Sequence, residues 1–136
     1  MNLNDIRRRV EAARVARLAT IAADGTPHLV PFSFVLAGEN LYSAVDSKKK
    51  RSTRLQRLAN IARDPRVTVL VDHYEEDWTR LWWVRLAGRA RQLDPGGEAE
   101  EALRLLAAKY PQYEELPPAG PVLQIEIERW SGWEAS

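Results

Sequence analysis

Apolar and polar side chains alternate along much of the chain, which is the pattern of strands in an antiparallel sheet. The clearest case is residues 67–74, where Val67, Val69 and Val71 share one face while Thr68 and Asp72 lie on the other. The same pattern predicts six strands, at residues 15–22, 27–36, 41–45, 67–74, 81–93 and 122–130. An Asp-Gly pair at residues 24–25 favours a tight turn, so the first two strands are predicted to form a hairpin.

Three other segments have the helical period of apolar residues. The first covers residues 3–13, with Asn2 or Asn4 available as its cap, and the last covers residues 94–110. Residues 111–121 are predicted to be a loop. Strands joined by hairpins, with helices beside them and no long parallel crossovers, favour a small antiparallel barrel over a doubly wound sheet.

The remaining helix begins at Ser52 and ends before the proline of "DPR" at residues 64–66. Leu55, Leu58 and Ala62 share one of its faces and Ile61 borders it, whereas Lys50, Arg54 and Arg57 lie on another. The apolar face is therefore expected to be the buried one.

Composition limits the classes of protein to be considered. The 136 residues are 45% hydrophobic and 29% charged, which fits one globular domain covering residues 1–136. The formal net charge is only +1, so binding of nucleic acid through bulk charge has little support.

Several types of site are also disfavoured by composition. The absence of cysteine removes disulfides, thiolate catalysis and iron-sulfur clusters, and two histidines alone are a poor basis for a transition-metal site. No apolar run is long enough to span a bilayer, and the amino terminus is too charged for a signal peptide. We therefore expect a cytoplasmic protein that binds neither a metal nor a membrane.

A cluster of basic residues lies where the third predicted strand meets the second helix, in the sequence "DSKKKRSTRLQRL". Its basic members are Lys48, Lys49, Lys50, Arg51, Arg54 and Arg57. The amino end of a helix carries unpaired N–H groups and a partial positive charge, so this cluster is suited to hold a phosphate. The alternative is a solvated basic face without a ligand.

The second predicted strand contains a proline, Pro31, which cannot donate to a strand ladder. Its position is therefore an edge, a bulge or a surface against which a flat ligand rests. Ser33 is expected on the same face, with Ser43 or Val45 of the next strand as neighbours. An edge-strand proline without a function is the alternative.

The stretches "RLATIAADGTPHLVPFSFVL", "DSKKKRSTRLQRLANIARDPRVTVLVDHYEEDW" and "LWWVRLAGRARQL", in this order, resemble the pyridoxamine 5'-phosphate oxidase-like proteins. Within that group they look most like the actinobacterial branch that uses the deazaflavin coenzyme F420. The resemblance implies a mainly β fold with flanking helices, a six-stranded antiparallel split β-barrel. It also implies a homodimer with cofactor sites at the subunit interface.

Carried over by position, the resemblance assigns three groups of site residues. The flat ring of the cofactor would lie against Val30, Pro31, Phe32 and Ser33 of one strand and Ser43 to Val45 of the next. The phosphate would be held by basic or hydroxyl side chains of the following segment, namely Lys48, Lys50, Arg51, Thr53, Arg54 and Arg57. Trp78 matches the position from which the partner subunit covers the ring.

The function implied is that of an F420-binding oxidoreductase, which transfers a hydride from reduced deazaflavin to an electron-poor small molecule. An FMN-binding oxidoreductase of the same fold is the alternative, as is a coenzyme-binding protein without catalytic activity. An oxidase or a haem-related protein of the same fold is a less favoured alternative. No residue receives a catalytic role, although His28, His73, Tyr42 and Tyr74 are available for proton transfer.

Overall fold

The computed structural model describes residues 1–45, 51–118 and 120–136, with side chains throughout these ranges except at residues 51–55. Seven strands form one antiparallel sheet in the order β2-β1-β5-β6-β7-β4-β3. Their bounds are β1 Ala16–Ile21, β2 Pro27–Phe32, β3 Val35–Ala37, β4 Asn40–Ala44, β5 Arg66–His73, β6 Trp82–Gln92 and β7 Val122–Glu134. The prediction of a mainly β protein with flanking helices is confirmed.

The predicted count of six strands is wrong, because the segment at residues 27–36 is two strands. β2 pairs with β1 at one edge of the sheet, and β3 pairs with β4 at the other edge. Only residues 33 and 34 join them. Since so short a link connects opposite edges, the sheet must curl until those edges approach each other at this point, which we call the crossing (residues 33–34).

The three predicted helices are present, and two short ones were not predicted. Their bounds are α1 Leu3–Ala12, α2 Arg51–Arg63, α3 Gly97–Lys109 and α4 Gln112–Glu115, with a 3₁₀ helix at Trp78–Arg80. α4 lies within the segment predicted to be a loop. Of the two candidate caps of α1, Asn2 is the one used: its side chain accepts from the Asp5 N–H at 2.9 Å in a capping box.

The main core lies inside the curled sheet. Alternate residues of the central strands fill it, for example Leu18, Val69, Val84 and Leu86, each at most 1% exposed. α1 and α2 cover this interior through residues such as Val10 and Ile61.

A second apolar layer lies on the opposite face of the sheet, where α3 packs on β3, β4 and β7. Ala99 and Ala102 of α3 contact the cluster that contains Tyr42 and Val122. The same face of β2 has no such cover among the described helices: Leu29 is 66% exposed there, and Pro27 and Pro31 are exposed beside it. None of the described helices is long and apolar enough to cross a membrane.

Gly88 marks the closest approach between β6 and β7. The register of this pair shifts between Ala87 and Gly88, and a Cβ atom at Gly88 would lie 2.1 Å from the Glu126 carbonyl oxygen. Backbone on the facing strand cannot rotate away as a side chain can. Glycine is therefore required here for space.

We predict that Gly88→Ala lowers the free energy of unfolding by about 1–3 kcal/mol, the usual cost of overpacking a tight site. Chemical denaturation would measure the change. Gly97→Ala is the matched control, because outside the adjacent residues and the nearby backbone of its own helix no atom lies within 4 Å of a Cβ at Gly97, the first residue of α3. Equal stabilities of the two variants would contradict the prediction.

Candidate functional site

The two strand ends assigned to the cofactor ring meet at the crossing. The hydroxyl of Ser43, on β4, donates to the carbonyl oxygen of Ser33 at 2.7 Å. Ser43 is 3% exposed, and Ser33 is half-buried. The expectation that Ser43 neighbours Ser33 is confirmed, and this pair joins the end of β2 to the end of β4.

The other residues assigned to the ring point in two directions. Val30, Phe32 and Val45 belong to the buried main core, whereas Pro31 is exposed on the opposite face of β2. In this subunit, a ring resting at the crossing would meet the three core residues through their main chain. Their contact with a cofactor stays a prediction.

The peptide of Phe34 is held by the end of α3. Its N–H donates to the Tyr110 hydroxyl at 3.1 Å. The same hydroxyl lies 3.0 Å from the Phe34 carbonyl oxygen and 3.0 Å from that of Arg14, and its single proton can serve one of them at a time. Sequence reasoning missed this contact, since Tyr110 is simply the last residue of a predicted helix.

Lys109 adds a second donor at the same carbonyl. Its ammonium donates to the Phe34 carbonyl oxygen at 2.9 Å and lies 4.0 Å from the centre of the Phe34 ring. Burial, with a smaller contribution from Arg14, lowers the pKa of Lys109 to about 8, against the opposing effect of Glu11. The crossing is therefore fixed by both a hydroxyl and a partly desolvated cation.

The basic segment continues from β4 into α2. Lys48 and Lys50 lie outside the described residues. Arg51, Thr53 and Arg54 occupy the first turn of α2, where the structure describes the backbone alone. Arg57 is only 8% exposed, which argues against the alternative of a fully solvated basic face.

The buried side of α2 is centred on Ile61, at the border of the predicted apolar face, and the side chain of Leu55 lies outside the described residues. Ala62 is exposed and Leu58 only half-buried, whereas Arg57, Asn60 and Ile61 are buried. Asn60 is fully buried, and its amide donates to the hydroxyl of Thr20 on β1 at 3.0 Å. The polar contact explains the burial of Asn60, because a buried amide is stable where it has a hydrogen-bond partner.

Neither histidine is placed as a base at the crossing. The Nδ1 atom of His28, on β2, is buried without a hydrogen-bond partner among the described atoms, and His28 lines an open groove of about 710 Å³ with Gln56. The Nε2 atom of His73 lies 2.6 Å from the Glu75 carboxylate. Among the residues that the structure describes, no group of three or more His, Asp or Glu side chains could hold a metal ion.

Tyr42 lies beneath α3 rather than in the interior of the sheet. Its hydroxyl donates to Glu98 at 2.8 Å, and burial, together with this carboxylate, raises the pKa of Tyr42 to about 12. A phenol with so high a pKa is a poor proton donor near neutral pH. Tyr74, the other candidate, is 66% exposed near the end of β5.

Trp78 begins the 3₁₀ helix and is 75% exposed. The turn is capped by Asp77, whose carboxylate accepts from the Thr79 N–H at 3.1 Å and from the Thr79 hydroxyl at 2.6 Å. Those hydrogen bonds lower the pKa of Asp77, so the carboxylate stays ionised as the cap. The indole is thus presented outward on a fixed turn, and its predicted role over a partner's cofactor stays a prediction.

The family profile described as "Pyridoxamine 5'-phosphate oxidase" matches residues 4–134, nearly the whole chain. The chain belongs to the pyridoxamine 5'-phosphate oxidase family. That assignment confirms the family-level resemblance seen in the sequence. Membership of the F420-using branch stays a prediction. A search of curated proteins gives no significant match.

Solved structures share this family's fold. A conserved hypothetical protein of Mycobacterium tuberculosis has a TM-score of 0.80 at 22% identity, over 98% of this chain and 85% of that one. A FAD-binding protein of Mesorhizobium loti has a TM-score of 0.76 at 25% identity, over 100% and 96%. A haem-binding protein of Mycobacterium smegmatis has a TM-score of 0.76 at 19% identity, over 96% and 53%. The first and third show similarity of fold alone.

The pKa of Lys109 leads to a pH-dependent prediction. Because the folded value of about 8 is below the ordinary 10.5, the unfolded chain binds more protons between these two pH values. The free energy of unfolding of wild type minus that of Lys109→Met should therefore rise as the pH increases from 8 to 10.5. Below pH 8 this difference should be constant. Denaturation of both proteins across this range would show it, and a constant difference throughout would contradict it.

Proposed function

We propose that this protein is a coenzyme-dependent oxidoreductase whose coenzyme is F420, with the ring against the crossing and the phosphate at the start of α2. The family match over residues 4–134 supports a redox role, and the FAD-binding protein of Mesorhizobium loti supports a flavin-type ring. The observation that carries the proposal is the hydrogen bond between Ser33 and Ser43. It joins β2 to the end of β4, the strand that precedes the basic segment.

The described residues fit a coenzyme of this type. Arg57 places a guanidinium inside the protein on the helix that the basic segment begins, where a phosphate would have a partner shielded from solvent. The half-buried Ser33 presents main chain and a small side chain at the crossing. Small side chains and backbone allow a flat ring to approach closely.

A deazaflavin would supply the hydride for an electron-poor substrate, and the protein would bind and orient both molecules. Basic side chains of the segment from Lys48 to Arg57 would neutralise the phosphate, and its hydroxyl side chains would donate hydrogen bonds to it. The crossing would set the plane of the ring. One alternative is a protein that holds FMN in the same place, which a comparison of binding affinities would distinguish. The other is a protein that binds the coenzyme without catalysing a reaction, which a turnover measurement would distinguish.

Titration of the purified protein with F420, FMN, FAD and haem tests the proposal. Haem is included because a haem-binding protein shares the fold. Tightest binding of F420, followed by its turnover with electron-poor acceptors, is the expected result. Tighter binding of FMN or FAD would overturn the choice of coenzyme, binding without turnover would leave a carrier, and binding of none would reject the function.

Removal of two cations from the basic segment should weaken coenzyme binding. If both contact the phosphate, the variant Lys50→Gln with Arg57→Gln should lose about 3–6 kcal/mol, since charged hydrogen bonds are worth about 1.5–3 kcal/mol each. Arg66→Gln with Arg104→Gln is the matched control, because it removes the same charge from two exposed arginines in ion pairs elsewhere. Equal affinity of the two double variants would show that the phosphate lies elsewhere.

We further propose that the protein is a homodimer with the coenzyme between subunits. The face of β2 that carries Leu29 is exposed, and removal of apolar surface from water favours association. Pro27 and Pro31 lack N–H donors on this edge strand, which disfavours pairing by strand addition. The partner would therefore dock against the face of the sheet, and the exposed Trp78 would be available to it.

We expect the wild-type protein to have twice the mass of one chain in solution and Leu29→Glu to have the mass of one chain. Leu116→Glu is the control, because Leu116 is similarly exposed, at 57% against 66%, but follows α4. Light scattering during size-exclusion chromatography would measure the masses. A wild-type monomer, or a Leu29→Glu variant that stays dimeric, would contradict the proposed interface.

A further inference from the structure

We propose that Tyr110 is a positioning residue for the coenzyme: its hydroxyl fixes the crossing, and through it the strand ends on which the ring lies. This inference rests on the proposed function. Tyr110 follows the last residue of α3 and is 7% exposed, so it acts from behind the crossing and not as a contact of the ring.

The crossing needs such a support because it lacks ladder partners. β2 makes its last pair with β1 at Ala16 and Phe32, and β3 makes its first pair with β4 at Val35 and Tyr42. The peptide of Phe34 lies between these ladders and is fully buried. A buried peptide without a ladder must find other hydrogen-bond partners, and the Tyr110 hydroxyl is the one that reaches its N–H.

The same hydroxyl connects three parts of the chain. It lies 3.0 Å from the carbonyl oxygen of Arg14, two residues before β1, as well as from that of Phe34. Arg14 in turn donates to the carbonyl oxygen of Lys109 at 3.0 Å, and its guanidinium lies 5.0 Å from the centre of the Tyr110 ring. One side chain thus holds the approach to β1, the crossing and the end of α3 in a fixed arrangement.

The position of Phe34 affects the site through the peptide unit that it shares with Ser33. Ser33 directly precedes Phe34, and the Ser33 carbonyl oxygen accepts the hydrogen bond from Ser43. Movement of Phe34 would shift Ser33 relative to Ser43 and separate the ends of β2 and β4. A binding surface held in the bound geometry before the ligand arrives gives higher affinity, because less ordering is required on binding.

Tyr110→Phe tests the inference, since it removes the hydroxyl and keeps the ring. We expect the dissociation constant of the coenzyme that wild type binds to rise about five- to tenfold, as one lost hydrogen bond would give. Tyr42→Phe is the matched control: it also removes a buried tyrosine hydroxyl with one partner, Glu98, but on the far side of β4. It should lower thermal stability and leave the dissociation constant unchanged. Both constants are measured well below the melting temperatures, and hydrogen exchange at the Phe34 amide should quicken in Tyr110→Phe alone.

The outcomes separate the inference from the proposed function. If wild type binds none of F420, FMN, FAD and haem, the proposed function fails and the inference falls with it. If wild type binds but Tyr110→Phe binds equally well, or if both tyrosine variants weaken binding equally, only the inference is overturned. Should Tyr110→Phe not fold, Lys109→Met loosens the crossing by removing the other donor to the Phe34 carbonyl oxygen. Its dissociation constant for the coenzyme is compared with those of wild type and Tyr42→Phe. A value equal to that of wild type, or a rise equal to that in Tyr42→Phe, would overturn the inference.

Discussion

The hydrogen bonds around the Phe34 peptide are the constraint on which the rest of the structure depends. They fix the one place where the two edges of a seven-stranded sheet are joined by two residues. Without them the buried N–H and C=O of Phe34 would lack partners, each at a cost of about 1–3 kcal/mol. The two-residue link makes the sheet curl around its core, and the position at which this peptide is held sets how close Ser33 lies to Ser43. Tyr110 and Lys109 therefore give the end of α3 a part in the site although α3 packs on the opposite face of the sheet.

The alternation of side chains predicted most of the sheet and could not have predicted the crossing. Alternation reports which face of a strand is buried, and Phe32 and Phe34 are both buried, as one continuous strand would require. What differs is the partner strand, which depends on residues far away in sequence, such as Tyr110. Pro31 correctly indicated that its strand lies at an edge of the sheet. It did not indicate that this strand ends at Phe32 and that residues 33 and 34 lead to the opposite edge.

The burial of α2 shows a second limit of reasoning from pattern. Ile61, at the border of the predicted apolar face, is more buried than Leu58 and Ala62. It is buried together with Arg57 and with Asn60, whose hydrogen-bond partner is Thr20. Polar residues with partners are as much part of an interior as apolar ones. A single sequence identifies that such residues exist and not which of them find partners. For the site, the sequence correctly predicted that Ser43 lies beside Ser33. No pattern in the sequence predicted the contacts that Tyr110 and Lys109 make with Phe34.

The same geometry explains why the fold by itself does not determine the coenzyme. Structures with this fold include a FAD-binding protein and a haem-binding protein, so the fold alone does not identify a ligand. At the crossing the subunit offers main chain and Ser33, which would contact a flat ring with little chemical discrimination. Discrimination must then come from groups that approach from other directions. On the proposed dimer these are the basic segment at the phosphate end and Trp78 of the second copy, whose indole is 75% exposed and so has most of its surface available for contact. Selectivity for one coenzyme would thus be a property of the assembled pair, and affinity for a phosphate a property of each chain.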